Sequence, residues 1–272
     1  MRRARPLLGT YVEIEAAGLA APALERAVDA AFGAIARVHR LMSFHDGDSD
    51  VSRLNRYAAS EPLTVDGWTA KVLKKARILF DATDGLFDCA VGYELMRSGR
   101  LPSQGLSHVE SGSFSAVELL SDNRVRFSAP IAIDLGGIAK GFAVDRAIAS
   151  LRARGVREAV VNAGGDMRVI GDEARTIHIR CPGREGRVVQ AGLLRNAAVA
   201  TSGAAATVMK QRGRLASPGS HHAYSVVAPT CLLADALTKV LVQTQDAHAG
   251  CFAGFGAIAF VTSADIVEDR VA

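Results

Sequence analysis

The chain of 272 residues is 49% hydrophobic and 22% charged, with a formal net charge of +4. That composition excludes a disordered chain and supplies a sizeable core, as one large domain or two closely joined ones. Apart from Arg2, Arg3 and Arg5 the basic residues are scattered, which excludes a concentrated nucleic-acid-binding face and leaves a surface that slightly favours a small anion.

The segment TYVEIEA (10–16) alternates apolar and polar residues, as a half-buried strand does. Pro22 then precedes Leu24, Val28, Ala31, Phe32, Ile35, Val38 and Leu41 at helical spacing, with proline suited to a first turn. Residues 43–55, SFHDGDSDVSRLN, begin as a polar turn, and Ser49 or Asp50 can cap a short helix. Trp68, Val72, Ala76 and Leu79 mark another helix, stopped by the Asp84-Gly85 turn signal. AVELLSDNRVRFS (116–128) reads as a hairpin around Asp122-Asn123. IAIDLGGIAKGFAVDRAI (131–148) reads as strand, glycine-containing turn, then helix. EAVVNAGGDMRVIG (158–171) reads as two strands broken at Gly164-Gly165. TIHIR, AAVATSG, YSVVAP and GAIAFVT are strand-like, LLADALTKVLVQ is helical, and residues 203–222 are irregular and polar. Strands and helices mix without strict β-α-β alternation, so the expected class is α+β, with mixed sheets and flanking helices.

Cys89, Cys181, Cys231 and Cys251 form no C-x-x-C and no zinc-like spacing, which points to buried free thiols and a reducing compartment. No stretch has the apolar length of a bilayer span. The basic start lacks an apolar core behind it, because Thr10, Glu13 and Glu15 arrive too soon. The expected location is therefore cytoplasmic, or periplasmic if the start is trimmed or misassigned.

The glycine–lysine segment admits two readings. Gly136 and Gly137 allow unusual backbone angles and close approach of a ligand, the start of the following helix offers unpaired N–H groups to anionic oxygens, and Lys140 adds a charge. The spacing is neither Walker A nor G-x-G-x-x-G, and a plain strand–turn–helix corner fits the segment taken alone. Asp134 could accept hydrogen bonds from a ligand. Asp88, Asn55, Asn162 and Asp166 are polar islands in apolar surroundings. Asp235, within LLADALTKVLV, either caps the helix or coordinates a cation.

Taken together, RPLLGTYVEI, LMSFHDGDSDVSRLN, TDGLFD, IDLGGIAKGFAVD, VVNAGGDMRVIG with VATSG, and ADAL resemble, in order and over nearly the whole chain, the blocks of the ApbE family of FAD:protein FMN transferases. The resemblance implies an ApbE-like architecture: one domain, or two intimately joined subdomains with the FAD cleft between them. It implies Mg²⁺-dependent transfer of FMN from FAD to a threonine of a target flavoprotein by a phosphoester bond, with release of AMP. It implies that Met42 lies against the flavin or adenine and that Leu86, Phe87 and Asp88 line the cleft. Asn55, at the end of its loop, joins the cofactor set, and Asp134 and Lys140 contact FAD. It implies that the Gly137 carbonyl and the Asp235 carboxylate hold the metal, with Asp235 and Lys140 catalytic. No nucleic acid and no membrane span are implied. Phosphoryl-type transfer needs in-line positioning and neutralised phosphate charge, which a cation and a lysine provide.

Two departures stand out. The family's threonine four residues after the metal-binding aspartate is Lys239 here. Thr238 remains the nearest candidate metal-ligand hydroxyl, although one residue along a helix turns a side chain by about 100°. Lys239 either swings its ammonium toward the phosphates, partly replacing the metal, or points to solvent. The family's His-Ile-x-Asp-Pro-x-Thr-Gly is RLASPG (214–219). Arg214 stands for the histidine and can stabilise charge but not accept a proton, Leu215 is the neighbouring cofactor contact, and Ser217 stands for the aspartate. The alternatives are an FAD-binding member that has lost transfer, acting as carrier or regulator, a flavin reductase, or an FAD pyrophosphatase.

Overall fold

The opening of the chain is a hairpin rather than a single strand. In the computed structural model, which describes residues 1–180, 188–203 and 222–263, β1 (Arg2–Leu7) pairs antiparallel with β2 (Thr10–Ala17). Leu8 and Gly9 between them have φ of 57° and 70°, the left-handed pair that a two-residue hairpin turn demands. β1 lies at a sheet edge, where Pro6 interrupts no inner ladder. Its arginines and proline hid the alternation that made β2 legible. Val12, Ile14 and Ala16 of β2 are buried, as are Leu24, Val28, Ala31, Phe32 and Ile35 of α1 (Ala21–Met42).

The chain divides into two compact units. The first holds Met1–Ala36 and the described residues from Lys140 onward; the second holds Arg37–Ala139.

In the second unit, Ser49 caps α2 (Asp50–Tyr57) by accepting from the Ser52 N–H, and Asp66 caps α3 (Gly67–Ala82). α3 ends where Asp84 and Gly85 take φ of 50° and 76°, as the turn signal predicts. β3 (Leu63–Thr64), β4 (Val117–Leu119) and β5 (Arg124–Phe127) form a three-stranded sheet in the order β3-β5-β4. The β4–β5 turn passes through Asp122 and Asn123, both at φ 56°. The short α4 (Gly92–Arg97) lies between α3 and this hairpin in the chain. Residues 131–135 belong to no strand. Their partners include a side chain and a loop carbonyl, described below.

In the first unit, α5 (Ala139–Arg152, from Lys140 on) leads to β6 (Glu158–Ala163) and β7 (Asp166–Ile170), joined at Gly164 and Gly165. β8 (Arg175–Arg180), β9 (Val188–Leu194), β10 (Ala198–Gly203) and β11 (His222–Ala228) follow, then α6 (Cys231–Thr244), α7 (Gly250–Gly254) and β12 (Ile258–Ser263). Seven strands make one antiparallel sheet in the order β1-β2-β6-β7-β10-β11-β12, and β8 pairs with β9 apart. Val169, Ile177, Ile179, Leu194, Val199 and Ala223 form a buried cluster that ties this ribbon to the main sheet. α6 packs on β7, β10 and β11, which its nearly continuous apolar sequence requires. The class is α+β, antiparallel sheets flanked by helices. Cys89, Cys231 and Cys251 are free thiols; Cys181 lies outside the described residues. Among the described residues no helix is long and apolar enough to cross a membrane.

Candidate functional site

The site of the first unit is built where two helices begin. A helix start leaves its first N–H groups without intrahelical acceptors. The Gly141 N–H of α5 donates to Asp235 Oδ2 of α6 at 3.0 Å. In return Asp145 of α5 accepts from Cys231 N and Leu232 N, both at 3.0 Å, at the start of α6. Arg168 holds Asp145 in place by an ion pair. The approach is close enough that a Cβ on Gly141 would lie 2.2 Å from the Cys231 carbonyl oxygen. Thr230, not Asp235, caps α6, its hydroxyl accepting from Leu233 N. Asp235 therefore does cap a helix, but the neighbouring one.

Around Asp235 lies a buried charge cluster. Lys140 Nζ is 2.5 Å from Asp166 Oδ2 and 3.5 Å from Asp235 Oδ1. Lys239 Nζ is 3.0 Å from each of Asp235 Oδ1, Ser202 Oγ and Thr238 Oγ1. Asp235 and Thr238 are fully buried and Asp166 nearly so. Burial alone would lower the Lys140 pKa, but Asp235 and Asp166 overcome it and raise the value above the ordinary lysine range, so Lys140 is an ammonium at neutral pH. Burial pushes Asp235 up, yet Lys140 and Lys239 with the Gly141 N–H bring it below the usual carboxylate value. Burial and the Asp235 charge raise Asp166. Burial and the three aspartates raise the Cys231 thiol, which keeps it protonated and poorly nucleophilic.

The second unit holds the remaining expected cofactor residues that are described. Asn55 is buried, its amide donating to the Ile133 carbonyl at 2.9 Å and accepting from the Ile133 N–H at 2.8 Å. With Asp134 N donating to the Cys89 carbonyl, this holds residues 131–135 in place without a strand partner. Asn55 thus positions the segment carrying Asp134, and its amide is occupied in doing so. Asp88 likewise accepts from Ala90 N and Phe114 N, a backbone-fixing role. Phe87 and Met42 are buried, and Leu86 is half-buried. Neither Gly136 nor Gly137 has positive φ, so unusual angles do not explain the pair. Close approach explains the first, since a Cβ on Gly136 would lie 2.8 Å from Asp134 Oδ2, which accepts the Gly136 N–H.

Arg214 and Leu215 lie outside the described residues. Of the expected metal ligands Gly137, Asp235 and Thr238, the last two already have protein partners. Asp235 Oδ1 faces two ammonium groups and Oδ2 takes a backbone N–H, while Thr238 Oγ1 donates to the Asp235 carbonyl at 2.7 Å and accepts from Lys239. Among the described residues no group of three or more His, Cys, Asp or Glu could hold a metal ion. This donor set does not fit Mg²⁺, which demands near-octahedral oxygens at about 2.0–2.1 Å.

Asp166, Ser202 and Asp145 belong to the site without having been assigned to it from sequence. Asp166 showed as a polar island beside Gly164-Gly165, and Ser202 stands in the VATSG block; nothing local marked Asp145.

A family model described as the ApbE family matches residues 8–253. An FAD:protein FMN transferase of Rhodobacter capsulatus is 34% identical over 218 residues, 72% of this chain and 40% of that protein. Another, from Klebsiella pneumoniae, is 27% identical over 195 residues, 67% of this chain and 61% of that protein. The chain thus spans less than two thirds of either relative. A mutant of the flavin transferase ApbE from Vibrio cholerae has the same fold, with a TM-score of 0.78 at 21% identity over 100% of this chain and 99% of that one.

Proposed function

The chain belongs to the ApbE family, and from that premise we propose that it is an FAD:protein FMN transferase whose acceptor is a threonine of a target flavoprotein and whose second product is AMP. One observation carries the reading: Lys140 and Lys239 converge on Asp235 where α5 begins. The arrangement holds the Lys140 ammonium in place on buried carboxylates, as a fixed donor for the anionic oxygens of a nucleotide diphosphate.

The acceptor hydroxyl oxygen forms a bond to the FMN phosphorus. The bond from that phosphorus to the bridging oxygen breaks, AMP departs with the bridging oxygen, and the hydroxyl proton is released. Lys140, held by Asp166 and Asp235, balances charge on the phosphate oxygens without reorganising, which is where such sites gain most of their rate. Asp235 keeps both lysines and the start of α5 in register, so it is a positioning residue for the charge as well as part of the cluster. Because the donors around Asp235 do not fit Mg²⁺, no step is assigned to a metal.

The test is intact-mass measurement of a purified threonine-bearing acceptor domain after incubation with this protein and FAD. A gain corresponding to an FMN phosphoester, with an equal amount of AMP, supports transfer. FMN and AMP without a labelled acceptor would mean a pyrophosphatase. Bound flavin without turnover would mean a carrier, and the absence of flavin binding would end the flavin reading.

A further inference from the structure

We propose that the Lys239 ammonium is a cation built into the chain: it fills the oxygen pocket of Asp235, Ser202 and Thr238, and the protein binds its nucleotide without a divalent metal. The binding half of this inference rests on the flavin reading; the occupied pocket rests on geometry alone.

An ammonium has three N–H donors and no acceptor. Lys239 Nζ has three oxygen partners, each at 3.0 Å, so every donor is used. The two hydroxyls are oriented to receive it. Thr238 donates its proton to the Asp235 carbonyl at 2.7 Å. In the 2.8 Å contact between Ser202 Oγ and Thr238 Oγ1, Ser202 must then be the donor. Each hydroxyl proton is committed away from Nζ, and one lone pair of each oxygen faces it. That is a cation cradle, built from α6 and the end of β10.

The charge balance agrees. Asp166 and Asp235 supply two negative charges, and Lys140 and Lys239 supply two positive ones within 3.5 Å of them. Arg168 and Asp145 neutralise each other. A divalent ion added to this buried, neutral cluster would face two ammonium groups and find its oxygens occupied. It could enter only by expelling Lys239, and unpaired buried charge is costly.

The test reads metal and flavin separately. Wild-type protein is titrated with Mn²⁺ and free ion is followed by electron paramagnetic resonance, with and without FAD. FAD affinity is measured by flavin fluorescence in EDTA and in millimolar Mg²⁺. The expected wild-type result is no stoichiometric Mn²⁺ uptake and FAD affinity that agrees within about twofold in the two buffers. Lys239→Ala is expected to gain one Mn²⁺ per chain, to lose about tenfold in FAD affinity in EDTA and to recover it with Mg²⁺. One tightly held Mn²⁺ per wild-type chain, or an FAD affinity that falls about tenfold in EDTA, overturns the proposal. If wild-type protein binds no FAD at all, the flavin reading fails, and the Mn²⁺ titration of the flavin-free protein still decides whether the pocket is filled.

Discussion

Asp235 uses both oxygens at once: Oδ2 accepts a backbone N–H and Oδ1 faces two ammonium groups. Replacing it with asparagine removes the shared counter-ion and leaves Lys140 with Asp166 alone. Asp235→Asn should lose about 3–5 kcal/mol of stability in urea unfolding, the usual result of breaking a buried pair; an unchanged midpoint would contradict the geometry. Under the proposed transfer reaction, Lys140→Met removes the ammonium assigned to the phosphates and should lower the transfer rate about 10²-fold or more, with acceptor labelling as the readout. Lys140 and Asp235 were legible because a charged residue in apolar surroundings calls for a partner. At Asn55 and Asp88 the same signal marks side chains that fix backbone. A polar side chain that fixes backbone looks, in sequence, like one that awaits a ligand. Their partners Ile133 and Phe114 lie 78 and 26 residues away, beyond any local pattern.

Two helices complete each other's first turns, and the exchange depends on Gly141. A methyl there would press on the Cys231 carbonyl, a backbone atom that cannot turn aside. Gly141→Ala should therefore destabilise by about 1–3 kcal/mol or more, although alanine is the better helix former, and thermal unfolding would measure it. A neutral or stabilising result would mean that the helices do not cross so closely. Elements with strong periodicity or turn chemistry were legible: α1, α3, α6, the β4–β5 hairpin and the Gly164-Gly165 corner. β1 was not, because Arg2, Arg3, Arg5 and Pro6 mask its alternation. Residues 131–135 read as strand because they are mostly apolar, but Asn55, Cys89 and Gly92 are among their hydrogen-bond partners and no neighbouring strand is.

For the whole molecule, composition and mixed patterning were enough for the α+β class, but the strand order was not. β6 and β7 stand between β2 and β10 in the sheet, a crossover that no local spacing encodes. Stability of the entire fold should report on the charge cluster through pH. The Lys140 pKa is raised in the folded state, so its contribution is complete below the ordinary lysine value of 10.5 and is lost as pH rises through the higher folded value. Thermal unfolding temperatures should fall along that alkaline limb, and Lys140→Met should flatten it; equal slopes would separate the lysine from the fold's stability. The mutual capping has one more consequence, in time rather than in space. Gly141 and Asp235 are 94 positions apart, and the ribosome makes the lysine long before the aspartate that neutralises it. A nascent polypeptide that stops short of α6 has half of an anchor and nowhere to seat a nucleotide. If the chain binds FAD as proposed, capture of the flavin belongs to the final stretch of synthesis.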